Sequence, residues 1–478
     1  MFRFRDFGCI QDEILGLRWS PADFAAEIVK RAAVLAAAEV KPRSTVAIAH
    51  SGTALFFADL FAAWVLDCAA ACLDPILTPN EIQNLVEFVR PSAILVGESS
   101  ISAPKSVPIL NLARAQPSTA RIPDSVGNAD APALILFTSG TTGHPKGVVL
   151  SFRSVLERIA LNRAAMGADC RLKSLITLPT SFGHGLIGNA LTPLMSGGDI
   201  ILHPLGVSLA RELGRIIDRY RIGFLSSVPA FWRMALKFSN GPSGGTLARV
   251  HVGSAPMSAD LWSRIVEWSR ADVLNCYGIT ELANWVAGAS ARIDGIAEGL
   301  VGRAWGGEVA VKDARGLIGR VGEGELIVKS PSAMSGYLRR PDLTARVLAD
   351  GWYHTGDSGR IDERGCVTLT GRIKDEINRA GFKVQPAEIE ALLETHAAIS
   401  EACVFGLPDR ASGEIVAAAV VPKAGKDIGI KDLRRWCEKR LRRDAIPERW
   451  FIVDKLERNA RGKINREAVR QCLAEDLR

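Results

Sequence analysis

Residues 136–151 read Leu-Phe-Thr-Ser-Gly-Thr-Thr-Gly-His-Pro-Lys-Gly-Val-Val-Leu-Ser, which interleaves Thr138, Ser139, Thr141, Thr142 and Lys146 with Gly140, Gly143 and Gly147 directly after the apolar run 133–137. Glycine admits backbone dihedrals closed to other residues and lets peptide N–H groups approach an anion, while hydroxyls and an ammonium supply further donors. That is the chemistry of a phosphate-holding loop. It is not the usual P-loop, because the Gly-Lys-Ser/Thr ending is missing and Pro145 stands where that loop would enter its helix. Nor is it the dinucleotide-binding glycine pattern, whose acidic ribose partner is expected about twenty residues further on. Taken alone, the segment supports anion binding, with a plain surface loop after a strand as the alternative.

Such a loop needs a scaffold, and the chain is long enough to supply one. Its 478 residues, 47% hydrophobic and 23% charged, imply two or three globular domains. The net charge of +7, from 59 basic and 52 acidic residues, suits an anionic ligand without requiring nucleic acid. In the densest basic run, 431–443, Leu433, Trp436, Cys437 and Leu441 recur at helical spacing, which predicts a helix with a solvated basic face and not a nucleic-acid surface. The nine cysteines show neither zinc spacing nor a disulfide framework, so a cytoplasmic setting is expected. The start shows no signal-peptide core. The apolar stretch 54–77 is broken by Asp59, Asp67 and Asp74, which argues against a membrane span.

Short apolar runs at 46–49, 93–96 and 134–137, with a helical segment at 81–89, predict an α/β unit with largely parallel strands. Runs at 174–178, 199–202 and 223–226 predict a second. From 306 to 369 the pattern changes to short strands and turns, a small β-rich subdomain. After Gly371-Arg372, a helix opening at Pro386 starts a compact α+β tail of roughly a hundred residues.

Four further segments carry chemistry: Asn275-Cys276-Tyr277-Gly278-Ile279-Thr280-Glu281, Trp352-Tyr353-His354-Thr355-Gly356-Asp357, Gly371-Arg372-Ile373-Lys374-Asp375 and Asn459-Ala460-Arg461-Gly462-Lys463. Each alone has a structural explanation: Tyr277 in a core, Asp357 in a turn, Arg372 in a surface ion pair, Lys463 as a solvated charge. In this order, together with the loop, they make the chain resemble the adenylate-forming superfamily of acyl-CoA synthetases, aryl-acid ligases, peptide-synthetase adenylation domains and luciferases. The resemblance covers nearly the whole chain and is most like an acyl- or aryl-CoA synthetase.

That resemblance implies a large N-terminal domain, 1–371, made of two α/β subdomains and the small β-rich one, a hinge at 372–376 centred on Lys374, and a small mobile α+β C-terminal domain, 377–478. It also implies a two-step reaction. A small carboxylic acid attacks the α-phosphate of ATP, releasing pyrophosphate, and a thiol then displaces AMP from the acyl-adenylate. The acceptor is coenzyme A or the phosphopantetheine arm of an acyl carrier protein. Residue by residue, Thr138, Ser139, Gly140, Thr141, Thr142 and Lys146 match the phosphate loop, Glu281 the residue associated with Mg²⁺, and Thr280 a donor to the α-phosphate. Tyr277 matches the residue against the adenine, with Ser254, Ala255, Pro256 and Asn275 lining the rest of that pocket, and Cys276 and Gly278 are matched to the cofactor site. Asp357 matches the ribose acceptor, Arg372 its neighbouring cation, and Lys463 the lysine bridging the attacking carboxylate and the α-phosphate. Gly381 and Lys383 match the loop that faces the thiol after domain rotation, although relatives often have serine-glycine and a later arginine where this chain has Ala380-Gly381 and Lys383.

On the acid side, Ser181-Phe182-Gly183-His184-Gly185 lacks the aspartate that amino-acid-activating relatives carry after the phenylalanine, which disfavours an amino-acid substrate. His184 instead matches the histidine of acyl- and aryl-CoA synthetases at the carboxylate entrance. Phe182, Phe224, Val228, Val252, Gly253, Ile279, Asn284 and Trp285 are expected to wall the acyl pocket, with Trp285 shortening it, so a compact aryl or medium acyl acid is expected. The sequence leaves a homodimer open.

Overall fold

The computed structural model describes residues 4–97, 107–115, 127–138, 146–379, 382–409, 412–459 and 462–475. Ser139, Gly140, Thr141, Thr142 and Gly381 therefore lie outside the described residues.

The first sheet has seven strands, in the order Gly336–Tyr337, Lys146–Ser151, Pro132–Thr138, Ala69–Cys72, Thr45–Ile48, Ala93–Leu95 and Ile109–Leu110. The last five are mutually parallel, as their uninterrupted apolar runs require of strands covered on both faces. The helix Ala54–Val65 is buried almost all round, with Phe56, Phe57, Leu60 and Phe61 fully enclosed. Its one acid, Asp59, is satisfied by Arg31 and, at 2.8 Å, by His50 Nε2. Asp12 is also buried, and its carboxylate caps this helix by accepting from the Ala54 N–H at 2.7 Å.

The second sheet is larger than expected. Parallel strands Asp272–Ile279, Arg249–Gly253, Phe224–Ser227, Ser174–Ile176 and Ile200–Leu202 lie side by side, and the N-terminal strand Ile10–Asp12 extends them by pairing with Ile200–Leu202. The β-rich strands are not a detached unit, since Leu300–Ala304 joins the hairpin strand Asn284–Ser290 to Val367–Arg372 and so continues the same fifteen-stranded sheet. Amphipathic helices Val207–Tyr220, Pro229–Phe238 and Ala259–Ser269 cover one face, burying Trp232 and Trp262.

From Ile377 onward the strands form a separate five-stranded sheet with its own core. The basic helix is shorter than its pattern suggested, spanning Ile430–Glu438 with Leu433 and Cys437 inward, because the chain turns before Arg443–Ala445. Trp436 is covered by the Arg440 guanidinium, 4.4 Å from the ring. Among the described residues no helix is long and apolar enough to cross a membrane.

One buried cation joins the two large sheets. Arg158, fully enclosed on the helix Phe152–Met166, donates from Nε to the Leu282 carbonyl at 3.2 Å, from Nη1 to the Trp285 and Trp305 carbonyls, and from Nη2 to Ser330 and Ser332 hydroxyls. These partners are neutral dipoles, and together they replace hydration. Replacing Arg158 by Ala strands several buried carbonyls and is expected to cost about 3 kcal/mol, lowering the thermal midpoint by roughly 5 °C or more. A midpoint unchanged by calorimetry would mean that the cage does not need its guanidinium.

Candidate active site

The strand Asp272–Ile279 carries the centre of the site, and its alternation divides two chemistries. Asn275 and Tyr277 face one side, where the Asn275 amide donates to the Leu300 carbonyl at 2.8 Å and the Tyr277 hydroxyl donates to Asp357. Cys276, expected at the cofactor site, faces the other side and packs with Phe224, Leu274, Trp285 and Trp305.

Asp357 lies on the strand Trp352–Ile361 directly opposite Arg372 on Val367–Arg372, and Arg372 Nε is 2.7 Å from its Oδ1. The carboxylate is thus held on one oxygen by a cation and on the other by a phenol. Burial pushes its pKa upward, and the Arg372 charge opposes that shift. Burial also raises the pKa of Tyr277, keeping it a neutral donor.

The strand Asp272–Ile279 ends in the turn Thr280–Leu282, after which Ala283 and Asn284 take φ of 65° and 155°. Non-glycine residues pay strain there, a feature that concentrates at functional sites. Glu281 accepts at Oε1 from the Tyr337 hydroxyl at 2.6 Å, and Tyr353 hydrogen-bonds Tyr337 in turn. Lys146 Nζ stands 5.4 Å over the Tyr337 ring. The ends of the expected phosphate loop meet as well, with Thr138 paired to Lys146 across Pro132–Thr138 and Lys146–Ser151. Tyr337 was not among the residues expected at the site. A usable signal existed, since the chain has only 4 tyrosines and Tyr277, Tyr337 and Tyr353 all converge here.

His184 opens a π-helical segment, His184–Leu191, a geometry common at functional sites. Its Nδ1 is 2.8 Å from the Ser254 hydroxyl and its Nε2 is 2.7 Å from the Ser226 hydroxyl. Ser254 itself sits at φ 67°, followed by Ala255 and the exposed Pro256. Burial, reinforced by the charge of Lys463, pulls the His184 pKa down to about 3, so the ring is neutral at ordinary pH. The Trp285 ring lies 5.6 Å from His184 and 4.5 Å from His251, a buried histidine absent from the expected site. Phe224 stands 4.9 Å from His251. A Cβ on Gly253 would approach the Cys276 carbonyl to 2.7 Å, so a close backbone crossing requires glycine there. Val252 and Val228 pack toward the helical layer instead, because strand alternation turns Val252 away from His251 and Val228 begins the helix Pro229–Phe238. Phe182 and Ile279 are half-buried, Ile279 against the first core.

Lys463 comes from the five-stranded C-terminal unit. Its turn is fixed by an Asn459 N–H to Lys463 carbonyl bond at 2.9 Å and a Lys463 N–H to Asn459 Oδ1 bond at 3.1 Å, with Gly462 at φ 72°. Its charge lowers the pKa of both His184 and Asp357, so it lies within electrostatic reach of the two halves of the site. The segment between the sheets is also tied down. Asp375 is 2.6 Å from Arg466 Nη1, which continues to Glu390, and Gln385 donates to Glu376 at 2.9 Å. Lys374, in the turn Ile373–Asp375, has its pKa lowered by burial first and then by neighbouring cations that include Lys146. Lys383 lies on the strand Phe382–Val384.

A model of the AMP-binding enzyme family matches residues 10–338, and one of the AMP-binding enzyme C-terminal domain matches residues 388–463. An oxalate–CoA ligase of Arabidopsis thaliana is 31% identical over 355 residues, covering 73% of this chain and 69% of its own. A 4-chlorobenzoate–CoA ligase of an Arthrobacter species is 29% identical over 348 residues, 72% of this chain and 66% of its own. Among solved structures, o-succinylbenzoate CoA synthetase of Bacillus subtilis with its acyl-adenylate intermediate superposes with a TM-score of 0.86 at 25% identity, covering 97% of this chain and 95% of that one. ATP-bound MatB of Rhodopseudomonas palustris gives 0.88 at 26%, covering 99% and 97%.

The neutral His184 links pH to stability. Below the ordinary imidazole pKa of about 6.5 the unfolded chain binds a proton that the folded chain refuses, so its contribution is full above that pH and declines toward about 3. Denaturation midpoints between pH 7 and 4.5 are expected to fall more steeply for the parent protein than for His184→Gln. Parallel slopes would remove His184 from this linkage.

Proposed function

The chain belongs to the AMP-binding enzyme family, and on that premise we propose that it is an AMP-forming ligase joining a compact carboxylic acid to coenzyme A through an acyl-adenylate. The observation that supports this reading is that the Lys463 charge lowers the pKa of both His184 and Asp357. An ammonium felt by both an acid-side histidine and the carboxylate assigned to the ribose suits the step in which a carboxylate attacks the α-phosphate, because negative charge is redistributed between those two groups.

The chain's own residues then have separable tasks. Asp357, oriented by Tyr277 and Arg372, retains acceptor capacity for ribose hydroxyls. Thr138 and Lys146 bracket the loop assigned to the outer phosphates, and Thr280 is assigned to the α-phosphate. Glu281 fits a Mg²⁺ partner. Tyr337 bonds its Oε1, and among the described residues no group of three His, Cys, Asp or Glu side chains could hold a metal. Glu281 would hold such a hard cation, which would supply charge neutralisation on the phosphates. His184, neutral and bonded through both nitrogens, positions and screens the acid without carrying a positive charge.

For the second half-reaction we assign residues 372–376 as the hinge between domains 1–371 and 377–478. Rotation about it removes Lys463 and brings the strand Phe382–Val384, with Lys383, toward the acyl-adenylate. Coenzyme A is preferred over a carrier-protein arm because the relatives described above are CoA ligases. The cysteines, all free thiols, accord with a cytoplasmic site of action.

Acid-dependent exchange of labelled pyrophosphate into ATP, measured across carboxylic acids and followed by coenzyme A addition, tests the proposal. Lys463→Ala is expected to lower exchange by about 100-fold or more while leaving thioester formation from supplied acyl-adenylate largely intact. Equal loss of both half-reactions would defeat the rotation model, and ATP binding without exchange for any acid would defeat the ligase reading.

A further inference from the structure

Next to His184, an aromatic shell of Trp285, Phe224 and Trp305 surrounds His251. Among the described residues, Trp285 Nε1, Asn284 Nδ2 and His251 Nδ1 are buried without a hydrogen-bond partner, on residues that are 1%, 4% and 0% exposed. Such groups are rare in folded proteins and call for an explanation.

Their positions converge. A Cβ on Gly188 of the π-helical segment would lie 2.1 Å from Asn284 Nδ2 and 2.8 Å from Trp285 Cζ2, so both side chains close over the same glycine. The Trp285 ring then bridges His184 at 5.6 Å and His251 at 4.5 Å. The three are also alike in sign. Indole and amide nitrogens donate only, and Arg249 Nε donates to His251 Nε2 at 2.9 Å, which leaves the imidazole proton on Nδ1. Buried Ser227 does not belong to this set, because its neighbour Ser226 faces His184 and alternation turns Ser227 toward the helical layer.

The charge of the shell narrows its ligand. Arg249 is engaged by Asp169 at 2.9 Å and reaches the shell only through the neutral His251 ring. The groups facing inward are therefore dipoles, which solvate an uncharged oxygen better than they compensate a buried carboxylate. We propose that the far end of the acid cavity recognises an uncharged oxygen acceptor, a carbonyl above all, on a compact acid, through Trp285 Nε1, Asn284 Nδ2 and His251 Nδ1. This rests on the ligase reading, which sets the reacting carboxylate between His184 and Lys463 and sends the rest of the acid past Trp285. A hydrocarbon acid of the same shape leaves the donors unpaired and is discriminated against, the way a site built around a hydrogen bond rejects an analogue lacking the partner.

Pyrophosphate exchange by the full-length protein on matched acids reads this directly: 4-oxopentanoate against pentanoate, 4-acetylbenzoate against 4-ethylbenzoate, and succinate as the charged arm. The oxo acid of at least one pair is expected to exceed its hydrocarbon isostere in kcat/KM by about 10- to 100-fold, and to exceed succinate. Trp285→Phe, which keeps an aromatic ring and removes the N–H, and Asn284→Leu should each narrow the oxo-to-hydrocarbon ratio, a within-variant ratio insensitive to the fraction of folded enzyme. Equal or reversed preference in both pairs, a preference for succinate, or a ratio unmoved by both variants overturns the proposal while leaving the ligase reading intact. Exchange with none of these or any other acid, with ATP still bound, overturns the ligase reading and this inference with it.

Discussion

The buried carboxylate of Asp357 is the constraint around which the site is organised. A carboxylate removed from water is costly unless charge and hydrogen bonds replace its hydration, and here they come from Arg372 on the neighbouring strand and Tyr277 on a strand several places away. Arg372 is also the last residue before the turn Ile373–Asp375, and Asp375 is gripped by Arg466 of the C-terminal unit. The same short stretch therefore orients the Asp357 carboxylate and carries an ion-pair anchor of the C-terminal unit. Gly371 adds a steric reason for its position, since a Cβ there would come within 2.3 Å of Gln385 Oε1.

A second clasp works at the phosphate end. Tyr337 bonds Glu281 at its hydroxyl and offers its ring face to Lys146, so one side chain couples the anionic and cationic groups assigned to ATP. It reaches this place only because Gly336–Tyr337 adds an edge strand to Lys146–Ser151. Arg158 performs the matching task beneath the turn, fixing the Leu282 and Trp285 carbonyls just after Glu281.

Much of this was legible in the sequence because the information was local. The runs near 46, 93 and 134 are strands, and Tyr277, Asp357 and Arg372 do meet, as their motif order implied. What escaped was set by distant pairing or by alternation. Ile10–Asp12 is only 3 residues long and gains its place from Ile200–Leu202, a partner no local pattern announces. His251 reads as one more residue of an apolar strand, and becomes notable only when Trp285 and Trp305 arrive from elsewhere. Cys276 and Val252 were grouped with sequence neighbours, whereas a strand sends alternate side chains to opposite faces, placing Cys276 with the aromatic shell and Val252 with the helices.

The two faces of that strand also explain how one site handles opposite electrostatic demands. On the Tyr277 side, Asp357, Arg372, Glu281 and Lys146 form a polar surface suited to a polyanion that must be held and then released. On the Cys276 side, Phe224, Trp285 and Trp305 make a low-dielectric wall, in which a charge brought inward loses hydration and every remaining dipole acts more strongly. His184 stands at the border, and both environments keep it neutral: burial penalises its proton, and the Lys463 charge repels it. A protonated His184 would compete with Lys463 for the incoming carboxylate and hold it short of the phosphate. In the proposed reaction, neutral His184 leaves Lys463 as the electrostatic target, so the wall assigned to acid selection would also direct the charged end of the acid toward the nucleotide.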